Sequence, residues 1–222
     1  MHSPRGAFSR REILRTGTVI AAGIVAGPVL AQINTGLPGL GRPTATTMPA
    51  SPMTIRPDLF RRALAALQKH GSRIPYRDKI ALVDFDMQSA QPRFHIVDLA
   101  SGRSRSMLVA HGRGSDPEHI GYLTRFSNEM GSACSSQGTY VTEDIYVGQH
   151  GRSRRLMGLD PTNSNVEPRN VVVHGAWYVS PDMVAQHGKI GRSEGCFALS
   201  TADLEDTLQS LGRGRMIYAD KV

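Results

Sequence analysis

The chain has 222 residues, 40% hydrophobic and 20% charged, enough for one domain with a single core beside short terminal segments. Its +7 charge comes from 26 basic and 19 acidic residues, and the scattered arginines are not interleaved with aromatics, which argues against a nucleic-acid partner. Two cysteines, Cys134 and Cys196, permit at most one disulfide, and no C-x-x-C or H-E-x-x-H spacing marks a metal site.

The chain opens with a paired-arginine motif, Ser9-Arg10-Arg11-Glu12-Ile13-Leu14-Arg15, ahead of a mildly apolar segment, Thr18 to Leu30. That segment is too short and too rich in Gly and Ala for a bilayer span, which needs about 20 strongly apolar residues. Val29 and Ala31 place small side chains at signal-peptidase spacing. Basic, apolar, small is the order of a cleaved export signal, expected over residues 1–31, and the adjacent arginines point to the twin-arginine route. A basic disordered tail or a short membrane anchor is the competing reading. The expected product is periplasmic or cell-wall associated, with no transmembrane segment after cleavage. Without residues 1–31 the balance falls to 22 basic and 18 acidic residues, or +4, a modest excess that suits an anionic polymer such as the wall, or membrane lipid. Residues 32–55 are rich in Pro, Thr and Gly and are expected to be a flexible tether. A globular domain is expected over 56–222.

Within it, Pro57–His70 carries apolar residues at helical spacing, with Pro57 at its start and Gly71 as a stop. Lys79–Met87 and Arg93–Leu99 read as strands, and a turn at Ala100–Arg103 leads into a strand at Ser106–His111. The Gly/Ser-rich region His111–Gly138 is too long for an idle loop. Gly138–Gly148 alternates like a pair of strands, and Asn170–His174 reads as a short buried strand. Ser180–His187 suits a helical turn, and Ser200–Leu211 a helix with Ser200 as N-cap and Asp203 three residues on. Arg215–Ala219 closes as a strand. The inventory is mostly β with two or three helices, and the lack of alternating βαβ units argues against a parallel Rossmann-type sheet.

Chemistry concentrates in "VVVHGAWY" (Val171–Tyr178) and "RSEGCFA" (Arg192–Ala198). A free thiol with pKa about 8.5 is only a few per cent thiolate at neutral pH, so a nucleophilic cysteine needs a base, a group orienting that base, and donors for the oxyanion. His174 at a strand end can supply the base, with a carbonyl such as that of Gly175 holding one ring nitrogen. Gly195 permits a sharp turn that would aim the Gly195 and Cys196 N–H groups at a carbonyl oxygen. Arg192 is a candidate to neutralise a substrate carboxylate. On composition alone a packed histidine, an inert buried cysteine, a disulfide, or a zinc site from His111, His150 and His174 all stay open.

Taken in order, "HGRGS" (His111–Ser115), "FSN" (Phe126–Asn128), "SSQGTY" (Ser135–Tyr140), "YVGQHG" (Tyr146–Gly151), "RNVVVHGAWYVS" (Arg169–Ser180) and "GKIGRSEGCFAL" (Gly188–Leu199) resemble the L,D-transpeptidase catalytic-domain family of cell-wall enzymes, over about residues 57–220. The resemblance implies a mainly β fold with a few helices, a β-sandwich or barrel. It implies Cys196 as nucleophile, His174 as general base, Gly175 as the neighbour whose backbone orients it, Ser193 and Gly195 as the oxyanion loop, and Arg192 beside it. His111, Ser135, Ser136, Tyr140 and His150 match recurring positions, either in the cleft or shaping it. The implied activity is transfer between peptidoglycan stem peptides through a thioester, with no cofactor and no metal; a hydrolase using the same site, or a decayed wall-binding module, are the alternatives. Departures from the family pattern are Phe197 where proline is frequent, expected to add bulk beside the thiol, and Glu194, expected to disfavour the thiolate unless Arg192 or Lys189 offsets it.

Overall fold

The apolar run Ile80–Val83 sits in strand β1 (Lys79–Asp84), and both faces of that strand are buried. Alternate residues serve two layers: Ile80 and Leu82 meet helix α1 (Pro57–Lys69), while Ala81 and Val83 enter the main core. A strand covered on both sides reads as a continuous apolar run rather than as an alternation. The structure, a computed structural model, describes residues 51–222. The expected export signal (1–31) and most of the expected tether (32–55) lie outside the described residues. Ile55, assigned to the tether by composition, is buried against α1, so the packed domain takes in this residue. Among the described residues, no helix is long and apolar enough to cross a membrane.

Helix α1 starts on Pro57 and buries Leu59, Phe60, Ala63, Leu64 and Leu67, as its periodicity predicts. The remaining strands are β2 (Phe94–Asp98), β3 (Ser104–Met107), β4 (Val109–Ala110), β5 (Gly138–Gly148), β6 (Gly151–Gly158), β7 (Val172–Gly175), β8 (Phe197–Leu199) and β9 (Met216–Asp220). Helices α2 (Pro181–His187) and α3 (Thr201–Ser210) complete the domain. Ser200 caps α3 as expected, its Oγ accepting from the Asp203 N–H at 3.0 Å. One nine-stranded sheet runs in the order β3-β2-β1-β9-β5-β6-β7-β8-β4. Its two outermost strands, β3 and β4, are separated in the chain by Leu108 alone, so the sheet curls round on itself. The mainly β class and the few helices agree with the sequence reading.

Three local expectations differ. The segment Gly138–Gly148 is not two strands but one long strand, and its partner is the charged Gly151–Gly158. Its first half is buried and its second half projects, so an alternating pattern spans both. The strand read at Ser106–His111 breaks into β3 and β4, which pair with different partners. Two strand pairs, β1–β9 and β7–β8, are parallel, and α2 lies in the crossover from β7 to β8. That crossover places the end of β7 beside the start of β8, with Val173 opposite Phe197 and His174 opposite Ala198.

Candidate active site

Cys196 stands one residue before β8, at the end of a loop that is fixed along its length. Ser193 Oγ donates to the Cys196 carbonyl at 2.7 Å and accepts the Gly195 N–H at 3.2 Å. Ser193 N–H donates to the His111 carbonyl, and its own carbonyl accepts from Arg113 N–H. Gly195 has φ 116°, and a Cβ there would stand 2.6 Å from the Cys134 carbonyl oxygen. Conformation and close approach therefore both demand glycine. Phe197 anchors the far end. It is buried and lies 5.1 Å from Tyr140, 6.3 Å from Phe85 and 6.5 Å from Phe94, centroid to centroid. The expectation that Phe197 crowds the thiol is thus wrong: strand alternation turns its ring into the core while Cys196 faces out.

The half-buried thiol rests against the chain just before β7. Cys196 Sγ lies 3.5 Å from the Val172 N–H and 3.6 Å from the Asn170 carbonyl. Burial pushes the Cys196 pKa up and Glu194 adds to that, while the Val172 N–H and the Arg169 charge pull it down. Asn170 holds φ 53° and Ala133, across the cleft, φ 51°. Left-handed conformations at non-glycine residues cost on the order of 1–3 kcal/mol and gather at functional sites.

His174 is only 2% exposed rather than standing at a rim. Its Nδ1 lies 2.9 Å from the Gly175 carbonyl. A carbonyl only accepts, so Nδ1 carries the proton and Nε2 keeps a free lone pair. The His150 ring, at the tip of the β5–β6 hairpin, stacks on His174 with centroids 4.2 Å apart and 17° between planes. Burial lowers the His174 pKa, the Gly175 carbonyl opposes this, and His150 lowers it further.

Cys196, His174 and His150 line one cleft of about 750 Å³, together with Arg113, Arg169, Arg192, Ser193 and Glu194. Glu194 pairs with Arg113 at 2.9 Å, not with Arg192 or Lys189. Arg192 donates instead to the Asp116 and Pro117 carbonyls, and Lys189 to the His119 carbonyl. Both members of the Arg113–Glu194 pair are exposed, so it contributes roughly 0–1 kcal/mol.

Four residues matched to recurring positions lie behind the cleft rather than in it. Arg93, buried, donates to His111 Nδ1 at 2.7 Å, which leaves His111 Nε2 to donate to Asp116 at 3.2 Å. Burial and the Arg93 charge push the His111 pKa down to about 4. Ser135 Oγ accepts the Gly112 N–H, and Ser136 Oγ donates to the Ser127 carbonyl. Tyr140 OH donates to the Ser136 carbonyl at 2.6 Å inside the core. Since both His111 nitrogens are engaged away from His150 and His174, the zinc site left open by the sequence is not assembled. Gly195 N–H, expected as an oxyanion donor, is taken up by Ser193 Oγ.

Among the cleft residues that escaped the sequence reading are Tyr178 and Arg169. Tyr178 lines the wall, with burial and then Cys196 and Glu194 pushing its pKa up to about 12. A Cβ on Gly191 would stand 2.7 Å from the Tyr178 ring, so that glycine makes room for it. Arg169 sits beneath the loop that carries Cys196, its Nη2 3.0 Å from where a Gly195 Cβ would stand. The signals were present as the last and first residues of quoted blocks, but only folding shows which way they point.

The family model of the L,D-transpeptidase catalytic domain matches residues 52–219. No curated protein sequence matches the chain. Among solved structures, the chain is similar to an L,D-transpeptidase from Mycobacterium smegmatis, at 16% identity over 64% of this chain and 58% of that one, TM-score 0.39. One from Mycobacterium tuberculosis H37Rv gives 14% identity over 65% and 58%, TM-score 0.41. The helical cell shape determining protein Pgp2 (K307A mutant) from Campylobacter jejuni gives 13% over 70% and 53%, TM-score 0.40. The chain thus spans a little over half the length of these solved chains.

Proposed function

The chain belongs to the L,D-transpeptidase catalytic-domain family, and from that premise we propose that it is an exported cysteine acyltransferase acting on peptidoglycan stem peptides. The observation that carries this reading is the cleft shared by Cys196 and His174, with the His174 tautomer set by the Gly175 carbonyl. Burial raises the thiol pKa and lowers the imidazole pKa, so the resting pair is neutral and the proton moves during attack.

In this mechanism Cys196 Sγ attacks the carbonyl carbon joining the L-centre of the third stem residue to terminal D-Ala. The Sγ–C bond forms as the thiol proton passes to His174 Nε2. The oxyanion takes the Cys196 N–H as a backbone donor. The C–N bond then breaks, and the D-Ala amine leaves with the proton from His174. An acceptor amine attacks the thioester and loses its proton to His174. The new amide forms, the C–S bond breaks, and the proton returns to the thiol. The cleft's own side chains supply every proton transfer in this sequence. Export by the twin-arginine route completes the reading; replacing Arg10 and Arg11 with lysine should trap precursor, and undiminished export would remove that route.

Incubation with purified disaccharide tetrapeptides tests the activity. Cross-linked dimer is the expected product. Shortened stems alone would mean that water resolves the thioester, and binding without turnover would reduce the domain to a wall-binding module.

A further inference from the structure

Three guanidinium groups line the cleft, and their partners differ. Arg113 meets the Glu194 carboxylate, and Arg192 turns to the Asp116 and Pro117 carbonyls. Arg169 donates from Nη1 to the Ser127 carbonyl at 3.0 Å and to Ser136 Oγ at 2.7 Å, and from Nη2 to the Cys134 carbonyl at 2.5 Å. All three acceptors are neutral. Among the described residues, no carboxylate stands within ion-pair distance of Arg169. A half-buried cation braced only by neutral groups is not cancelled locally, and its field acts on whatever charge develops beside it.

The nucleophile loop lies in that field. Arg169 Nη2 is 3.0 Å from where a Gly195 Cβ would stand, and the next residue in the chain, Asn170, offers its carbonyl to Cys196 Sγ. The same guanidinium ties residues 127, 134 and 136 to one point, and the Cys134 carbonyl it holds is the atom against which Gly195 packs. With the Gly195 N–H engaged by Ser193, the loop has one backbone donor fewer for negative charge than its sequence predicts. A fixed cation at this place offsets that loss.

We propose that Arg169 is a positioning residue for the nucleophile: its fork clamps the 127–136 segment under the loop that carries Cys196, and its uncancelled charge favours the thiolate over the thiol. The proposal rests on the reading of Cys196 as the nucleophile, but its test needs no acyl transfer. The other groups around the thiol do not duplicate the role. Glu194, on the same loop, opposes ionisation and is held off by Arg113. Tyr178, from the segment after β7, keeps its hydroxyl proton through the neutral range. His174 from β7 has its pKa lowered by burial and by His150 and rests neutral, with Nε2 free, so it is a proton acceptor rather than a cation that would stabilise the thiolate.

The test is the rate of iodoacetamide alkylation of the whole chain from pH 6 to about 11.5, far enough to reach the plateau of a thiol whose pKa burial raises, read on the Cys196 peptide by mass spectrometry. Arg169→Gln should move the midpoint up by about one pH unit, which is about a tenfold loss of rate at pH 7, and leave the high-pH plateau in place. Arg169→Lys keeps a cation but not the fork, and should hold its midpoint within a few tenths of a unit of wild type. Ser136→Ala, which removes one brace and no charge, should leave the midpoint unmoved. An unshifted midpoint in the Gln variant, or a rate lowered equally at every pH, overturns the proposal, as does a Lys midpoint displaced as far as that of Gln. Where the Gln variant does not fold, Arg169→Met keeps the packed stem and gives the same comparison. A shift seen in a chain that makes no cross-links would sustain this inference while sinking the transpeptidase reading.

Discussion

The two walls of the cleft are built on opposite principles. The wall that carries Cys196, Ser193 to Phe197, is held by Ser193 on two sides, by the tight contact of Gly195 with the Cys134 carbonyl, and by Phe197 in an aromatic cluster. The facing wall is the tip of the β5–β6 hairpin, where Ile145 and Val147 are exposed and the Tyr146–Arg155 cation–π contact of 4.2 Å spans the two strands. Segments with few buried apolar contacts open locally at low free energy, whereas core-anchored ones open only near global unfolding. The difference assigns precision to the wall that carries the thiol and compliance to the wall that carries His150. On the proposed function, the thiol would have to meet its carbonyl within a few tenths of an ångström, while the facing wall would have to let wall strands in and out.

The largest effect should come from the thiol itself. Exposing the protein to a carbapenem, which mimics an acyl donor, should give a single covalent adduct in intact-protein mass spectrometry. Cys196→Ala should abolish the adduct completely, and Cys134→Ala should leave it, since Cys134 is buried and its Sγ contacts the Ser132 carbonyl at 3.4 Å. An adduct that survives Cys196→Ala would place the nucleophile elsewhere.

His174→Gln comes next. Removing a general base lowers rate by about 10²–10⁴-fold. Gln retains a donor for the Gly175 carbonyl, so thermal stability should stay near wild type while acylation falls. Unchanged acylation in a normally folded variant would take His174 out of the mechanism.

Phe197→Ala measures the anchoring of the rigid wall. Truncating a buried phenylalanine costs about 3–5 kcal/mol, whereas Val147→Ala on the exposed hairpin should stay within about 0.5 kcal/mol. Chemical denaturation of both variants makes the comparison directly, and equal losses would dissolve the distinction between the walls.

Sequence legibility follows the same division. Periodicity exposed α1 and the capped α3, because their signals are local and amphipathic. That Cys196 and His174 line one cleft was legible only through ordered blocks, since they stand 22 positions apart with a parallel crossover between them. What failed depended on side-chain direction. Phe197 looked like an obstruction because linear neighbours of a nucleophile look close to it, although a strand sends successive side chains to opposite faces. His111, Ser135, Ser136 and Tyr140 matched family positions, yet they brace backbone from behind, and nothing in their identity distinguishes a brace from a contact. Hairpin β6 went unread because its arginines, Arg152, Arg154 and Arg155, mask a strand whose inward positions include a buried arginine.

Acid should loosen the rigid wall. His111 lies under it, its carbonyl accepting the Ser193 N–H, and its pKa is about 4 against an unperturbed 6.5. The unfolded chain therefore binds more protons between these values, and stability rises with pH across the window and falls on acidification. The buried ring accounts for on the order of 3 kcal/mol lost between about pH 6.5 and 4, and the lowered His174 pKa acts in the same direction. Denaturation midpoints at pH 7 and pH 4.5 check this. A flat profile would mean that His111 is solvated in the native protein.

The smallest effect, and the sharpest test of the compliant wall, concerns His150. Its ring stacks on His174, and its charge when protonated would lower the His174 pKa. Stacked aromatic pairs contribute about 0.5–1.5 kcal/mol to stability, so His150→Ala should cost no more than that in denaturation, and it should slow acylation by about two- to tenfold because the His174 ring loses a partner that orients it. His150→Phe keeps a planar partner and removes the charge. It should recover most of the rate at pH 8, yet move the acid limb of the pH–rate profile upward, because His174 then holds its proton to higher pH. The sign follows from repulsion: removing a neighbouring cation favours the imidazolium. If Ala and Phe slow the reaction equally and leave the acid limb in place, the stack does not orient the base, and the hairpin serves as a wall alone.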